Sequence, residues 1–357
     1  MPMRRLLAGL ALAVTFSATP LSGVANAQEK TEFSVCWSIY AGWMPWGYMQ
    51  DSGILKKWAD TYGLTIEAVQ INDYVESINQ YTAGQYDGCT MTNMDALSIP
   101  AGGGVDTTAL IVGDYSNGND GVVLKGKEQL AAIQGQQVNL VELSVSHYLL
   151  ARALESVDLS ERDITVVNTS DADLVAAYQT PDVTAVVTWN PLLSEVASAP
   201  ESQKVFDSSQ IPGEIIDLMV VNTETLKANP DFGKALVGAW YETMELMQSD
   251  TPEGEAALAA MAEASGTDLA GYKAQLATTA MFYDPKDAVA FTEAEKLPET
   301  MTFVSKFLFD HGILGQGAPS ADFVGIAYPD DKTTGDAANI KLRYDPSVMK
   351  MAADKAL

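Results

Sequence analysis

The sequence predicts an α/β protein of two lobes, each a wound and mainly parallel sheet with flanking helices, the lobes joined by a two-strand hinge. Three observations carry this. Short apolar, β-branched runs alternate with helix-length amphipathic segments, the pattern of a wound sheet. Two Gly/Asn- and Ser/Pro-rich breaks, at 113–121 and 208–213, divide that pattern so that one lobe is left, a second inserted, and the first regained. The 330 residues that follow the leader exceed what one core usually fills.

In chain order, Phe33 to Ile39 reads as a strand, Tyr48 to Tyr62 as a helix closed by Gly63, and Leu64 to Val69 as a strand. Tyr74 to Ala83 is a helix stopped by Gly84, Gly88 to Met91 a strand, Met94 to Ala101 a helix and Thr108 to Val112 a strand. The stretch Gly113 to Gly121 is expected to be an irregular crossover. The inserted lobe then holds strands at Gln137 to Leu143, Ile164 to Val167 and Thr184 to Thr188. Its helices are Ser146 to Val157, Leu174 to Tyr178 and Leu192 to Ala199. Val205 and Phe206 precede the second break, and Leu218 to Val221 is a strand that rejoins the first sheet. Leu226 to Gly312 reads as helical, with Phe232 to Met247 the clearest amphipathic helix. The expected domains are 28–114 with 214–357, and 115–213.

The amino terminus reads as an export signal over residues 1–27: Arg4 and Arg5, an apolar run from Leu6 to Phe16, then Ala25-Asn26-Ala27, with cleavage expected before Gln28. The run is shorter than the roughly 20 residues that span a bilayer, and no cysteine stands at the cleavage point to take a lipid. A periplasmic, membrane-free monomer is therefore expected. Removing the leader takes the formal charge from −26 to −28, which argues against nucleic acid as a partner. Cys36 and Cys89 are the only cysteines and match no zinc or redox spacing. Export permits a disulfide, but both read as buried strand positions, where free thiols are common, and free thiols are the expectation.

The catalytic inventory is thin: His147 and His311 are the only histidines, and no nucleophile elbow, P-loop or H-E-x-x-H pair occurs. No catalytic residue, metal or cofactor is expected. Lysine and arginine are missing from 31–55, 58–124, 128–151, 163–203 and 205–226, so every loop that should follow a strand end lacks a cation. The same segments carry Asp95, Asp114, Asp120, Glu142, Asp171 and Asp217. A neutral or cationic ligand is the better expectation, although helix N-termini alone can hold anions.

Ligands of open α/β sheets bind beyond the carboxyl ends of the strands. Ser38, Tyr40, Trp43 and Trp46 follow the first strand, and Trp189 and Asn190 follow one in the second lobe. Indole faces with carboxylates suit a nitrogen cation, worth about 2 kcal/mol when desolvated. The remaining candidates are Asn93, Asp95, Asp114, Glu142, Ser144, His147 and Asp217. Each has a blander reading. The tryptophans fill cores, Asp95 sits in a helix first turn and Ser144 caps a helix. Asp114, Asp120 and Asp217 set turns, Asp171 begins a helix, and His147 is a structural hydrogen-bonding residue. Glu142, between Val141 and Leu143 at a strand end, is the acid hardest to explain as surface.

The element order resembles the type II periplasmic binding proteins of the nitrate, sulfonate and taurine importer family. The strings SIYAGWMPWGY (38–48), TNMDALSIPA (92–101), GDYSNGNDG (113–121), NLVELSVSHYLLARAL (139–154) and VVTWNP (186–191) are similar to its urea-carboxylase-related branch. The likeness runs over essentially the whole mature chain. It implies the solute-binding subunit of an ABC importer, with a membrane permease as partner and guanidinium, then urea, as ligand. Three rivals stand beside it: the same fold serving nitrate, taurine or a pyrimidine; an enzyme, whether a pyrimidine-precursor synthase or a carboxylate hydrolase; and a purely structural envelope protein.

Overall fold

Among the described residues fourteen strands form two sheets. They are β1 (Glu32–Trp37), β2 (Thr65–Gln70), β3 (Gly88–Thr92), β4 (Thr107–Ser116), β5 (Asp120–Lys125), β6 (Gln137–Leu140), β7 (Thr165–Asn168), β8 (Ala185–Trp189), β9 (Ser202–Asp207), β10 (Ile216–Asn222), β11 (Thr279–Met281), β12 (Gly325–Ala327), β13 (Thr333–Thr334) and β14 (Ile340–Tyr344). This computed structural model describes residues 30–315 and 317–357, and the export signal expected over 1–27 lies outside them.

The larger sheet runs β13-β12-β14-β4-β10-β3-β1-β2, with β11 also on β4; the smaller runs β7-β6-β8-β5-β9. The chain leaves the first through β4 into β5 and returns through β9 into β10. Those four strands pair antiparallel to their neighbours β3, β8 and one another, whereas β1 with β2 and β3, and β6 with β7 and β8, are parallel. Central β3 and β8 are buried at every position, as a sheet covered on both faces requires. Edge strand β2 alternates, with Ile66 and Ala68 inward and Thr65 and Glu67 outward.

Helix starts place side chains at the strand ends. Asp73 accepts from Glu76 N at 2.9 Å and opens Tyr74–Thr82; Thr92 opens Asn93–Ala96; Ser144 accepts from Ser146 N at 3.2 Å and opens Val145–Glu155. Each cap satisfies an amide that the helix leaves unpaired.

Four expectations need correction. The single helix from Tyr48 to Tyr62 is two, Met44–Ser52 and Ile54–Thr61, because Gly53 at φ 81° ends the first in the left-handed region. The Gly/Asn-rich stretch is mostly strand. Partners on both sides, β10 and β11, hold β4 extended through Asp114 and Ser116, so composition is overruled by tertiary pairing. The strand expected to reach Leu143 stops at Leu140, and Leu143 turns to φ 61°. Finally, Cys36 and Cys89 form a disulfide. They are register partners on adjacent strands β1 and β3, with Cα atoms 4.4 Å apart, a spacing a bridge accepts.

Candidate functional site

The carboxyl ends of the parallel strands in both sheets converge on one small cavity. Tyr40 and Trp43 follow β1, Tyr74 follows β2 and Thr92 ends β3. From the smaller sheet come Trp189 at the end of β8, Val145 at the helix start after β6, and Asp120 at the start of β5. Asp217, near the start of β10, closes the floor.

Four aromatic rings make a continuous wall. Tyr40 meets Trp43 edge-on at 5.0 Å, Trp43 meets Tyr74 at 5.7 Å, and Tyr74 meets Trp189 edge-on at 5.5 Å. Edge-to-face contacts fix the ring planes beyond what burial alone would do.

Against this wall lie carboxyl groups without a basic partner. Asp95, Asp114, Asp120 and Asp217 are 1%, 0%, 3% and 2% exposed, and none of the eight residues lining the cavity is basic. Asp114 and Asp217 are opposed in register on β4 and β10. Tyr40 Oη donates to Asp114 Oδ1 at 2.8 Å, while Asp114 Oδ2 and Asp217 Oδ2 are buried and receive no hydrogen bond from a protein donor. Asp120 Oδ2 accepts from Ser116 Oγ at 2.5 Å. Asp95 Oδ2 accepts from Tyr74 Oη at 2.6 Å, Thr92 Oγ1 at 2.9 Å and Val145 N at 3.2 Å.

Burial dominates their acidity. Desolvation raises Asp95 to about 6 and Asp114 to about 6, against the opposing hydrogen bonds of Tyr74 and Thr92 on one and of Asp217 and then Tyr40 on the other. Asp120 rises to about 7, from burial and then from the neighbouring charges of Asp114 and Asp95. Asp217 is pushed well above the carboxylate range by burial and by Asp114 and Asp120. A site in which burial and like charges act together, with no Lys or Arg to relieve them, attracts positive charge.

Contacts across the cavity tie the two sheets. Trp189 Nε1 donates to Ile39 O at 3.0 Å, and Ala41 N donates to Asn190 O at 3.1 Å. Tyr74 N donates to Asp171 Oδ1 at 3.3 Å. Glu214 on the return crossover takes Tyr148 Oη at 2.6 Å and Arg152 Nε at 2.9 Å.

The structure sorts the expected site residues. Tyr40, Trp43, Trp189 and Asp217 line the cavity, and Asp114 and Asp95 stand behind it through Tyr40 and Tyr74. The others do not reach it. Glu142 is exposed, because the backbone turns at Leu143 and carries it into solvent. Trp46 stacks on Trp240 at 5.4 Å inside the larger lobe. Ser38 is buried with no hydrogen-bond partner for its hydroxyl and is not among the lining residues. Asn93 spends its amide on Glu214 O and Ile216 N, tying a helix start to β10. Ser144 caps its helix, and His147 Nδ1 accepts from Leu143 N at 3.2 Å. Asn190 bonds Ser194 and Thr278. His311 ends the helix Lys296–Asp310 and bonds Glu161.

Tyr74, Thr92, Val145 and Asp120 are lining residues the sequence did not single out as contacts. Three of them sit at helix starts after β2, β3 and β6, a position that the strand-end rule covers. Among the described residues no group of His, Cys, Asp and Glu has metal-holding geometry, and no helix is long and apolar enough to cross a membrane.

A cleft between two wound sheets joined by paired crossover strands defines the class: the chain has the two-lobed periplasmic binding protein fold. It is similar to the alkanesulfonate-binding protein SsuA of Xanthomonas axonopodis pv. citri bound to MOPS, at 15% identity and TM-score 0.66, over 81% of this chain and 96% of that one. The periplasmic aliphatic sulphonate binding protein SsuA of Escherichia coli matches at 17% identity and TM-score 0.64, over 79% and 93%. The periplasmic nitrate-binding protein NrtA of Synechocystis PCC 6803 matches at 12% and 0.56, over 92% and 99%. No protein-family model matches the chain, and no curated protein matches it by sequence.

Proposed function

We propose that this chain is the exported solute-binding component of an ABC importer and that it captures a small, planar nitrogen cation. Guanidinium is the first candidate and urea the second. Lobes 28–114 with 214–357 and 115–213 close on the ligand, and the closed form docks on the permease. The observation that carries the ligand class is the buried set Asp114, Asp120 and Asp217 beside Trp43 and Trp189, with no basic residue lining the cavity. A cation neutralises those carboxylates and gains cation–π attraction from the indoles. Guanidinium adds N–H donors in a plane, which carboxylates accept two at a time.

The fold neighbours named for sulfonate and nitrate do not carry their ligands over. An anion needs a cation or free amides at a helix start. Here the Val145 amide at the start of its helix is already given to Asp95, and the facing acids repel an anion.

Calorimetry on the mature protein with guanidinium, urea, nitrate and taurine tests the reading. Saturable binding of guanidinium and none of the anions is expected. Binding of nitrate or taurine with none of guanidinium overturns the ligand class, and turnover of any ligand overturns the transport role.

A further inference from the structure

The register pairing of Asp114 with Asp217 puts two carboxyl groups in contact on adjacent strands with no cation between them. Each has an Oδ2 that no protein donor reaches. Two ionised carboxylates repel and share no hydrogen, so such a pair in a dry site holds one proton between them. The groups that face it bring no positive charge to that balance: the Tyr40 hydroxyl lowers both members by hydrogen bonding, and Asp120 raises Asp217. Tyr40 comes from the loop after β1 and Asp120 from β5. Tyr272 and Tyr283 lie within range of Asp114 from the helical region. All are acids or phenols.

We infer that the Asp114–Asp217 pair is a proton-exchange site: it keeps a proton while the cleft is empty and releases it to solvent when a cation is captured. The inference rests on the cationic-ligand reading and adds what selects the charge state of the ligand. A cation replaces the proton one for one, so the charge of the dry site is conserved. A neutral ligand such as urea displaces nothing and is served best by the protonated pair, whose hydroxyl donates to a carbonyl oxygen. The two candidate ligands therefore have opposite pH dependence at the same residues. Burial supports this independently, since it raises Asp114 to about 6 and Asp217 further.

The test is calorimetry of guanidinium in two buffers of different ionisation enthalpy, at pH 6, 7 and 8. A buffer-dependent heat corresponding to release of about one proton is expected near pH 7. Affinity should fall toward tenfold for each unit of pH below the pair's acidity. Asp217→Asn should bind guanidinium more weakly and release no proton. Asp114→Asn is the second variant should the first not fold. Binding of guanidinium with the same heat in both buffers at every pH overturns the inference and leaves the cationic-ligand reading standing. Absence of guanidinium binding at all three pH values overturns both.

Discussion

Trp189, at the end of β8 in the smaller sheet, donates its indole N–H to the carbonyl of Ile39, which follows β1 in the larger sheet, at 3.0 Å. One side chain thus supplies an aromatic wall of the cavity and a bond that exists only when the two strand ends meet. A ligand shifts closure only through contacts that the closed arrangement offers. On the proposed function, Trp189 would link capture to closure in that sense.

Trp189→Phe keeps a ring in the wall and removes the donor. Losing a neutral hydrogen bond costs about 1 kcal/mol, so affinity for guanidinium should fall about fivefold, with a shift of the scattering profile toward a more open shape. Trp189→Ala should lose the wall as well and weaken binding further. Unchanged calorimetric affinity in Trp189→Phe would show that the Ile39 contact plays no part in closure.

Much of this architecture was legible because it rests on local chemistry. Trp43 and Trp189 stand just past apolar runs and line the cavity, and Leu218 to Val221 marks the return to the first sheet. What failed depended on partners distant in sequence. The composition around Asp114 reads as an irregular crossover, but β10 and β11 hold it in a strand, and Cys36 meets Cys89 only because β1 and β3 are neighbours. Glu142 failed for the opposite reason. Its apolar flanks suggested burial, yet Val141 points in while Leu143 is itself 45% exposed after a left-handed turn.

Asp120 is the acid reached from the smaller lobe. Asp120→Asn keeps a side chain able to accept from Ser116 but removes the charge. Truncating one member of a buried charge pair costs about 2–5 kcal/mol, so guanidinium should bind at least ~30-fold more weakly. The same variant no longer buries an uncompensated charge, and without ligand at pH 8 it should melt on the order of 2–5 °C higher. Stronger guanidinium binding, or a lower melting temperature at pH 8, would contradict the electrostatic account.

The Cys36–Cys89 bridge joins residues 53 apart in sequence, and both sulfurs lie in fully buried residues. Closing a loop of that length restricts the unfolded chain by about 4 kcal/mol. Cys36→Ala with Cys89→Ala should lower unfolding stability by roughly that amount while leaving the cavity residues in place. Mild reductant should act slowly on the native protein, since it reaches the bridge only on opening. Rapid reduction under native conditions, read by thiol labelling, would show β1 and β3 to be less firmly packed than their burial implies.

The raised pKa values of Asp95, Asp114, Asp120 and Asp217 also set how the empty protein responds to pH. A carboxyl whose folded value lies above its unfolded value binds more protons folded than unfolded, so its stabilising effect is complete below about pH 4 and is lost as pH rises through the folded value. With folded values of about 6 for Asp95 and Asp114 and about 7 for Asp120, the loss begins near pH 4 and runs to about pH 7, and Asp217, raised well above the carboxylate range, carries it further. Asp106 and Asp207 run the other way, held low by hydrogen bonds from Arg343 and Lys204, and destabilise only in stronger acid. Thermal melts without ligand should therefore peak near pH 4 and decline through pH 5 toward pH 8. Saturating guanidinium at pH 8 should restore much of the loss, because the cation then supplies the compensation that protons supplied at pH 5. A ligand-free melting temperature that rises steadily from pH 5 to 8 would show these carboxylates to be compensated by protein groups, and the case for a cation in this cleft would go with them.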